Sequence, residues 1–318
     1  MPWIESPFFK RELESSDLTE ADKAFVRDYA QNGYAVIDTD IDAASFDAII
    51  EELDDHFKTA RSENEGNHHA SHRILDAWRF NEKVKKVAAN PDILAKLRLL
   101  YKRKPIPFQT LNFDVGTQQR THSDMIHFSS IPERFMCGVW IAFEDVTDEN
   151  GPLHYYPGSH KLPFYNMTDI GIKASDSKKM KNVYMDYSDH YEEFIEQVAI
   201  NQGLQKQRLL VKKGQAVIWA ANLLHGGDPI KRAGSTRHSQ VTHYYFENCT
   251  YYTPLFTDFA LKEIFLRNIV DISTGKHVEN KYLGEVINTN ETVKKDSPGK
   301  KNFWEVLTRP FAGFSKQK

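Results

Sequence analysis

Two cysteines, Cys137 and Cys249, are all that 318 residues contain. That is too few for a disulfide framework, so the chain is expected to fold on its core alone in a reducing, cytoplasmic compartment. No apolar run approaches the roughly 20 residues needed to cross a bilayer. The opening Met1-Pro2-Trp3-Ile4-Glu5-Ser6 lacks the basic-then-apolar order of a secretory signal. A basic excess is missing too: 41 Lys+Arg stand against 44 Asp+Glu, a net charge of −3, which argues against a general nucleic-acid binder. Neither a membrane nor a nucleic acid is therefore an expected partner. Phosphate-cradling glycine loops, a dinucleotide-binding glycine pattern and a Ser-His-Asp order are absent as well. What the chain has in quantity is aromatic: 20 Phe, 14 Tyr and 5 Trp, enough apolar area to exclude a structureless chain.

No Gly/Ser-rich linker and no internal repeat interrupts the sequence, so one elaborated domain over residues 1–318 is expected. Its first part, 1–104, reads as mostly helical. Thr19 precedes Glu20-Ala21-Asp22 as an N-cap with acids in the first turn, and Asn32-Gly33 supplies the stop. Tyr34 to Ile37 reads as a strand, and a helix from Ala43 to Phe57 lines up Phe46, Ile49, Ile50 and Leu53. A polar loop, Arg61 to His72, precedes further helical patterns from Glu82 and after Pro91. From Pro105 the texture changes. Phe108–Val115, Phe135–Val146, Leu153–Tyr156, Gln207–Val211, Ala216–Ala220 and His238–Phe246 read as short strands separated by turn signals. Many short strands over 105–250, with an insertion at about 165–205, predict a mainly β protein with flanking helices whose core is a sandwich or jelly roll. The insertion holds the charged run Asp176 to Lys181, and a C-terminal extension runs over 251–318, polar between Asn288 and Lys301.

Among 13 histidines, the informative ones are those able to converge. His122-Ser123-Asp124 spaces an imidazole and a carboxylate by two, which in extended chain puts both on one face. His225 follows the apolar strand Ala216-Val217-Ile218-Trp219 and precedes Gly226-Gly227. Two His and one carboxylate on one side of a metal leave the opposite positions open, the arrangement of non-haem Fe(II) oxygenases. A His-x-Asp triplet alone is weak evidence and fits better a strand end with a solvated Asp and a packed His. Arg237, with Ser239 two residues on, adds a planar guanidinium suited to the far carboxylate of a dicarboxylate co-substrate.

Together with Gln109-Thr110-Leu111-Asn112-Phe113, Val139-Trp140-Ile141-Ala142, Asn150-Gly151-Pro152-Leu153 and Pro157-Gly158-Ser159-His160-Lys161, these segments resemble the phytanoyl-CoA dioxygenase family of Fe(II)/2-oxoglutarate-dependent oxygenases. The resemblance spans roughly 105–247 in the family's order. It implies a double-stranded β-helix core, cupin-like, with iron held by His122, Asp124 and His225 and 2-oxoglutarate on that iron. It further implies that Arg237 pairs with the distal carboxylate of 2-oxoglutarate, that Ser239 or Asn112 assists, and that Trp140 lies near the co-substrate. The expected chemistry is hydroxylation of a small molecule by O₂, with release of succinate and CO₂. Relatives that halogenate carry a small residue in place of the metal carboxylate; Asp124 fills it here. One departure is Gly227, where several members have a hydroxyl residue, so that hydrogen bond has to come from elsewhere.

Two further residues are candidates for the substrate pocket. Gln109 shares a strand with Asn112. His127 lies at odd spacing from both His122 and Asp124 and would face away on a continued strand, yet in relatives the loop that follows meets substrate. His154, His160, His238 and His243 are expected to be structural, and His68, His69 and His72 to form a loop cluster. Phe113, Phe128, Phe143 and Trp219 read as core side chains. Two basic clusters, Lys102-Arg103-Lys104 and Lys178-Lys179-Lys181, read as solvated surface. Two other readings stay open on the residues alone: a jelly-roll isomerase or hydrolase using Zn or Mn, and a non-catalytic jelly-roll binding module. Arg237 and Ser239 weigh against the first, which needs no dicarboxylate clamp, and the intact set of four against the second. Neither the substrate nor an oligomeric state is legible in the sequence.

Overall fold

The computed structural model describes residues 1–173 and 186–287. Helices α1 (Phe9–Glu14), α2 (Glu20–Asn32), α3 (Ala43–Glu63), α4 (His68–Ser71), α5 (Glu82–Ala88) and α6 (Pro91–Tyr101) make up most of the first hundred residues. Their ends follow local chemistry. The Thr19 hydroxyl accepts the Asp22 N–H at the start of α2, and Gly33 ends it in the left-handed region; Asn90 caps α6 ahead of Pro91. α3 runs one and a half turns beyond the expected Phe57, to Glu63, and α4 occupies part of what reads as a loop.

Strands β1 (Tyr34–Asp38), β2 (Arg73–Leu75), β3 (Pro105–Phe113), β5 (Met136–Ala142), β8 (Gln215–Ala220) and β10 (Ser239–Phe246) form a six-stranded antiparallel sheet, ordered β1-β8-β5-β10-β3-β2. Two smaller sheets pair β7 (Gln207–Arg208), β6 (Leu153–Tyr155) and β9 (His225–Gly227), and β4 (Ser129–Ile131) with β11 (Thr250–Tyr252). The expected strand 207–211 pairs only at Gln207 and Arg208, though Leu209 and Val211 remain buried.

Both faces of the large sheet are covered. Val139, Ile141, Ile218, Tyr244 and Phe246 belong to the core under the helices. Tyr244 donates to the Ala88 carbonyl and Gln240 to that of Val84, fastening β10 to α5. The alternate residues Trp140, Ala142, Val217, Trp219 and Val241 pack with Leu209, Val211 and Leu223, and with Leu153 and Tyr155 of the small sheet. That second layer is the inside of the jelly roll, and the candidate site opens within it. No helix of the described residues is long and apolar enough to cross a membrane. The expected charged stretch 176–181, with its lysine cluster, and the polar stretch 288–301 lie outside the described residues. Lys102, Arg103 and Lys104 are engaged: Lys102 sits over the Trp3 ring, Arg103 donates to the Glu247 carbonyl and Lys104 pairs with Asp271.

Candidate active site

His122 and His225 are opposed in an antiparallel bridge, each N–H bonding the other's carbonyl at 2.9 and 3.0 Å. Their rings lie 4.5 Å apart. Ser123 keeps extended angles, so Asp124 falls on the same side as His122 before the chain turns into a short 3₁₀ helix, Asp124–Ile126. One ligand atom from each of the three lies within 4.8 Å of the others. Asp124 Oδ1 is 3.7 Å from His122 Nε2 and 3.8 Å from His225 Nε2. No other such group of His, Cys, Asp or Glu occurs among the described residues.

Backbone carbonyls set the tautomers. His122 Nδ1 lies 2.9 Å from Arg120 O, and His225 Nδ1 lies 2.9 Å from Leu223 O. A carbonyl only accepts, so Nδ1 carries a proton on both rings, and each ring turns its Nε2 toward Asp124. Burial alone would raise the Asp124 carboxyl; the imidazoles of His225, His243 and His122 overcome it and hold that carboxyl well below its ordinary range. Burial and the neighbouring His225 lower the His122 pKa. Two imidazole nitrogens and one carboxylate oxygen on a single side form a donor set that fits Fe(II).

The second cluster is built around Arg237, which is fully buried. Its Nη1 donates to the Gly151 carbonyl at 2.7 Å and its guanidinium lies 5.4 Å from the Trp140 ring. Asn150 holds that carbonyl in place, because its side chain bonds the Asp145 and Thr236 carbonyls and accepts the Thr147 N–H. The Asn-Gly-Pro-Leu segment thus orients the arginine. Nε and Nη2 of Arg237, Oγ of Ser239 and Nε1 of Trp140 are buried with no hydrogen-bond partner among the described residues. Burial pushes the Arg237 pKa down to about 10. Orphaned buried donors around a guanidinium fit an anionic ligand, and a carboxylate matches the fork of Nε and Nη2.

Asn112 does not join this cluster. It pairs with Gln240 across β3 and β10, on the face opposite Ser239, and its Nδ2 donates to Gln240 Oε1 under the helices. Gln109 does face the interior, but its Oε1 is 3.0 Å from His243 Nδ1. His127 follows the 3₁₀ turn, so strand parity does not govern it; its ring packs 4.8 Å from Tyr187, and burial with His122 nearby lowers its pKa to about 3.

The Pro-Gly-Ser-His segment serves the metal side: Ser159 Oγ accepts the Leu224 N–H at 2.8 Å, one residue before His225. The helix Glu192–Asn201 from the insertion packs with Ile126 and Leu224, which flank the ligands, and Glu196 accepts from Arg120 at 2.6 Å. His69 in α4 is kept neutral, near pKa 4, by burial and by Arg73, His68 and His122. A Cβ on Gly227 would lie 2.5 Å from Thr117 Oγ1, so Thr117 occupies the space a hydroxyl side chain at 227 would need.

His243 and Trp219 are the residues sequence reasoning missed. Trp219 Nε1 donates to Asp124 Oδ2 at 2.8 Å, and His243 Nε2 lies 3.6 Å from the same oxygen. Parity held the signal for His243, which follows Ser239 and Val241, two and four residues after Arg237, on one face of β10.

Comparison with known proteins agrees with this geometry. The family model "Phytanoyl-CoA dioxygenase (PhyH)" matches residues 29–239. No curated protein matches the chain. Among solved structures, the non-heme alpha ketoglutarate dependent epimerase SnoN from nogalamycin biosynthesis aligns at 18% identity over 75% of this chain and 88% of its own, with TM-score 0.53. The carbocyclase SnoK from the same biosynthesis aligns at 16% over 83% and 95%, TM-score 0.55. EctD from S. alaskensis with bound Fe aligns at 16% over 77% and 82%, TM-score 0.55. At these identities the structures speak for the fold, a double-stranded β-helix. The family model, spanning well over half the sequence, settles membership: the chain belongs to the phytanoyl-CoA dioxygenase (PhyH) family of Fe(II)/2-oxoglutarate-dependent oxygenases.

Proposed function

We propose that the protein is a non-haem iron, 2-oxoglutarate-dependent dioxygenase that hydroxylates an unactivated C–H bond of a small-molecule substrate. The observation that carries this reading is the pairing of a three-donor His-Asp-His face with a buried arginine whose Nε and Nη2 have no partner among the described residues. Solved structures of SnoN with Fe3+, alpha ketoglutarate and nogalamycin RO, and of EctD with 2-oxoglutarate and 5-hydroxyectoine, support the cofactor and the small-molecule substrate.

His122, Asp124 and His225 would hold iron, with Nε2, Oδ1 and Nε2 as the donor atoms. Arg237 clamps the far carboxylate of 2-oxoglutarate, and Ser239 Oγ and Trp140 Nε1 donate beside it. Thr117 supplies the hydroxyl that Gly227 cannot. When bound, iron and 2-oxoglutarate would supply the oxidising power for O₂ to place a hydroxyl on the substrate C–H, the keto-acid leaving as succinate and CO₂. Val217, Val241 and Leu153 keep water from the co-substrate. His127, with Tyr187 against it, forms part of the substrate wall, and Gln109 acts there through His243. No residue is assigned as a general acid or base. Hydroxylation is favoured over the outcomes named for SnoN and SnoK because it asks for no group beyond these.

Anaerobic addition of Fe(II) and then 2-oxoglutarate tests the reading. A weak visible charge-transfer band is expected in the wild type and not in Arg237→Ala. Full binding of 2-oxoglutarate by Arg237→Ala would overturn it.

A further inference from the structure

The metal carboxylate is held from behind by a row of three residues on three adjacent strands. His243 on β10, Gly138 on β5 and Trp219 on β8 are direct cross-strand partners. Directly opposed residues share a sheet face, so all three look into the jelly roll, and the middle one has no side chain. A Cβ on Gly138 would lie 2.3 Å from Trp219 Cε2 and Cζ2 and 2.7 Å from Nε1. The indole therefore lies across bare backbone, which lets its N–H reach Asp124 Oδ2 at 2.8 Å. From the other side His243, braced by Gln109 at 3.0 Å and by the Phe128 ring at 4.7 Å, brings Nε2 to 3.6 Å from that same oxygen. Oδ1 is left facing the Nε2 atoms of His122 and His225.

We propose that Trp219 is a positioning residue for the metal: it occupies Oδ2 of Asp124, so that the carboxylate binds through Oδ1 alone, with Gly138 as the opening that admits the indole and His243 as the opposing brace. This rests on the reading of His122, Asp124 and His225 as ligands. The consequence is chemical. A carboxylate free to rotate can take two positions on the metal; one whose second oxygen is engaged takes one and leaves three for co-substrate and O₂.

Co(II), which is stable in air at such sites, is the probe, added to the full-length protein and followed by calorimetry and visible absorption. Trp219→Phe keeps an aromatic ring at this position and removes the N–H together with part of the indole's bulk. It is expected to weaken Co(II) binding by about 10–100-fold and to change the shape and intensity of the visible bands, with circular dichroism unchanged. Gly138→Ala keeps the N–H and displaces the indole, and it is expected to reproduce both effects. The double variant should bind no more weakly than the poorer single one, because both remove one interaction. If Gly138→Ala does not fold, Trp219→Phe decides alone. Wild-type affinity and spectrum in Trp219→Phe, alongside loss of Co(II) in Asp124→Ala, overturn the positioning role and leave the metal site standing. A wild type that takes up no Co(II) overturns both.

Discussion

The two ends of the site are built on opposite principles. At the metal end, every atom not aimed at the metal has a partner: both Nδ1 atoms reach carbonyls and Asp124 Oδ2 takes the indole N–H. At the arginine end, Nε and Nη2 of Arg237, Ser239 Oγ and Trp140 Nε1 are buried with no partner among the described residues. The first arrangement orients ligands in advance and costs little in the empty protein. The second leaves a buried cation underpaired, a state that destabilises a fold until an anion arrives. A resident metal suits the former and a co-substrate consumed at each turnover suits the latter.

The largest expected effects separate the ends. Asp124→Ala should abolish metal binding and, with it, succinate formation. Arg237→Met should leave Co(II) affinity within a few-fold of wild type, while 2-oxoglutarate affinity falls on the order of 100-fold. The same substitution removes a buried, underpaired charge, so the ligand-free protein is expected to melt above wild type in calorimetry. Lower stability in Arg237→Met would mean that the arginine is already satisfied and that the contrast is false.

The sequence carried the metal end further than the arginine end. Extended backbone from His122 to Asp124 makes a spacing of two sufficient, and an apolar strand running into His225 marks the third ligand. Arg237 and Ser239 stand out as polar residues in a buried stretch. Asn112 shows where that reasoning stops. Strand β3 is buried on both faces almost throughout, so the polar and apolar alternation that would name the inner face is missing. The same blindness makes Trp219 look like core and His243 like packing. Gly151's carbonyl and Thr117 belong to contacts between distant loops, and no local pattern encodes them. Helix ends fared better, because Thr19 and Asn90 act on their own neighbours.

Acid should attack one end before the other. The metal side leans on the Ser159 turn, and His160 beside it is packed against Ala30 O, kept neutral by burial, with its pKa lowered to about 4. A histidine with a depressed folded pKa binds its proton more readily when unfolded, so stability falls as pH drops from the unfolded value near 6.5 towards 4. The loss from this residue is expected to be about 2–3 kcal/mol at most. Urea midpoints of the metal-free protein at pH 7, 5.5 and 4.5 measure it. His160→Gln should make the profile shallower by this one residue's share, with buried His69 and His127 keeping the remaining slope, and a profile as steep as wild type would remove His160 from the acid sensitivity.

The smallest effect tests the finest detail of the contrast. If the arginine end is an anion site, its donors should extend beyond Arg237 to the hydroxyl beside Gly227. Thr117→Val keeps the shape of the side chain and deletes one donor, and a single neutral hydrogen bond contributes about 0.5–1.5 kcal/mol. A loss of roughly 2- to 10-fold in 2-oxoglutarate affinity is therefore expected, with Co(II) binding unchanged. Gly227→Ser alone should disturb the loop, since its Cβ meets Thr117 Oγ1 at 2.5 Å and Gln118 N at 2.8 Å. Paired with Thr117→Gly it would vacate part of that space and return a hydroxyl from the other strand. Recovery of 2-oxoglutarate affinity in the double variant, relative to Thr117→Gly, would show that the pocket requires a hydroxyl there whichever segment provides it. Wild-type 2-oxoglutarate affinity in Thr117→Val would instead confine the anion site to Arg237, Ser239 and Trp140.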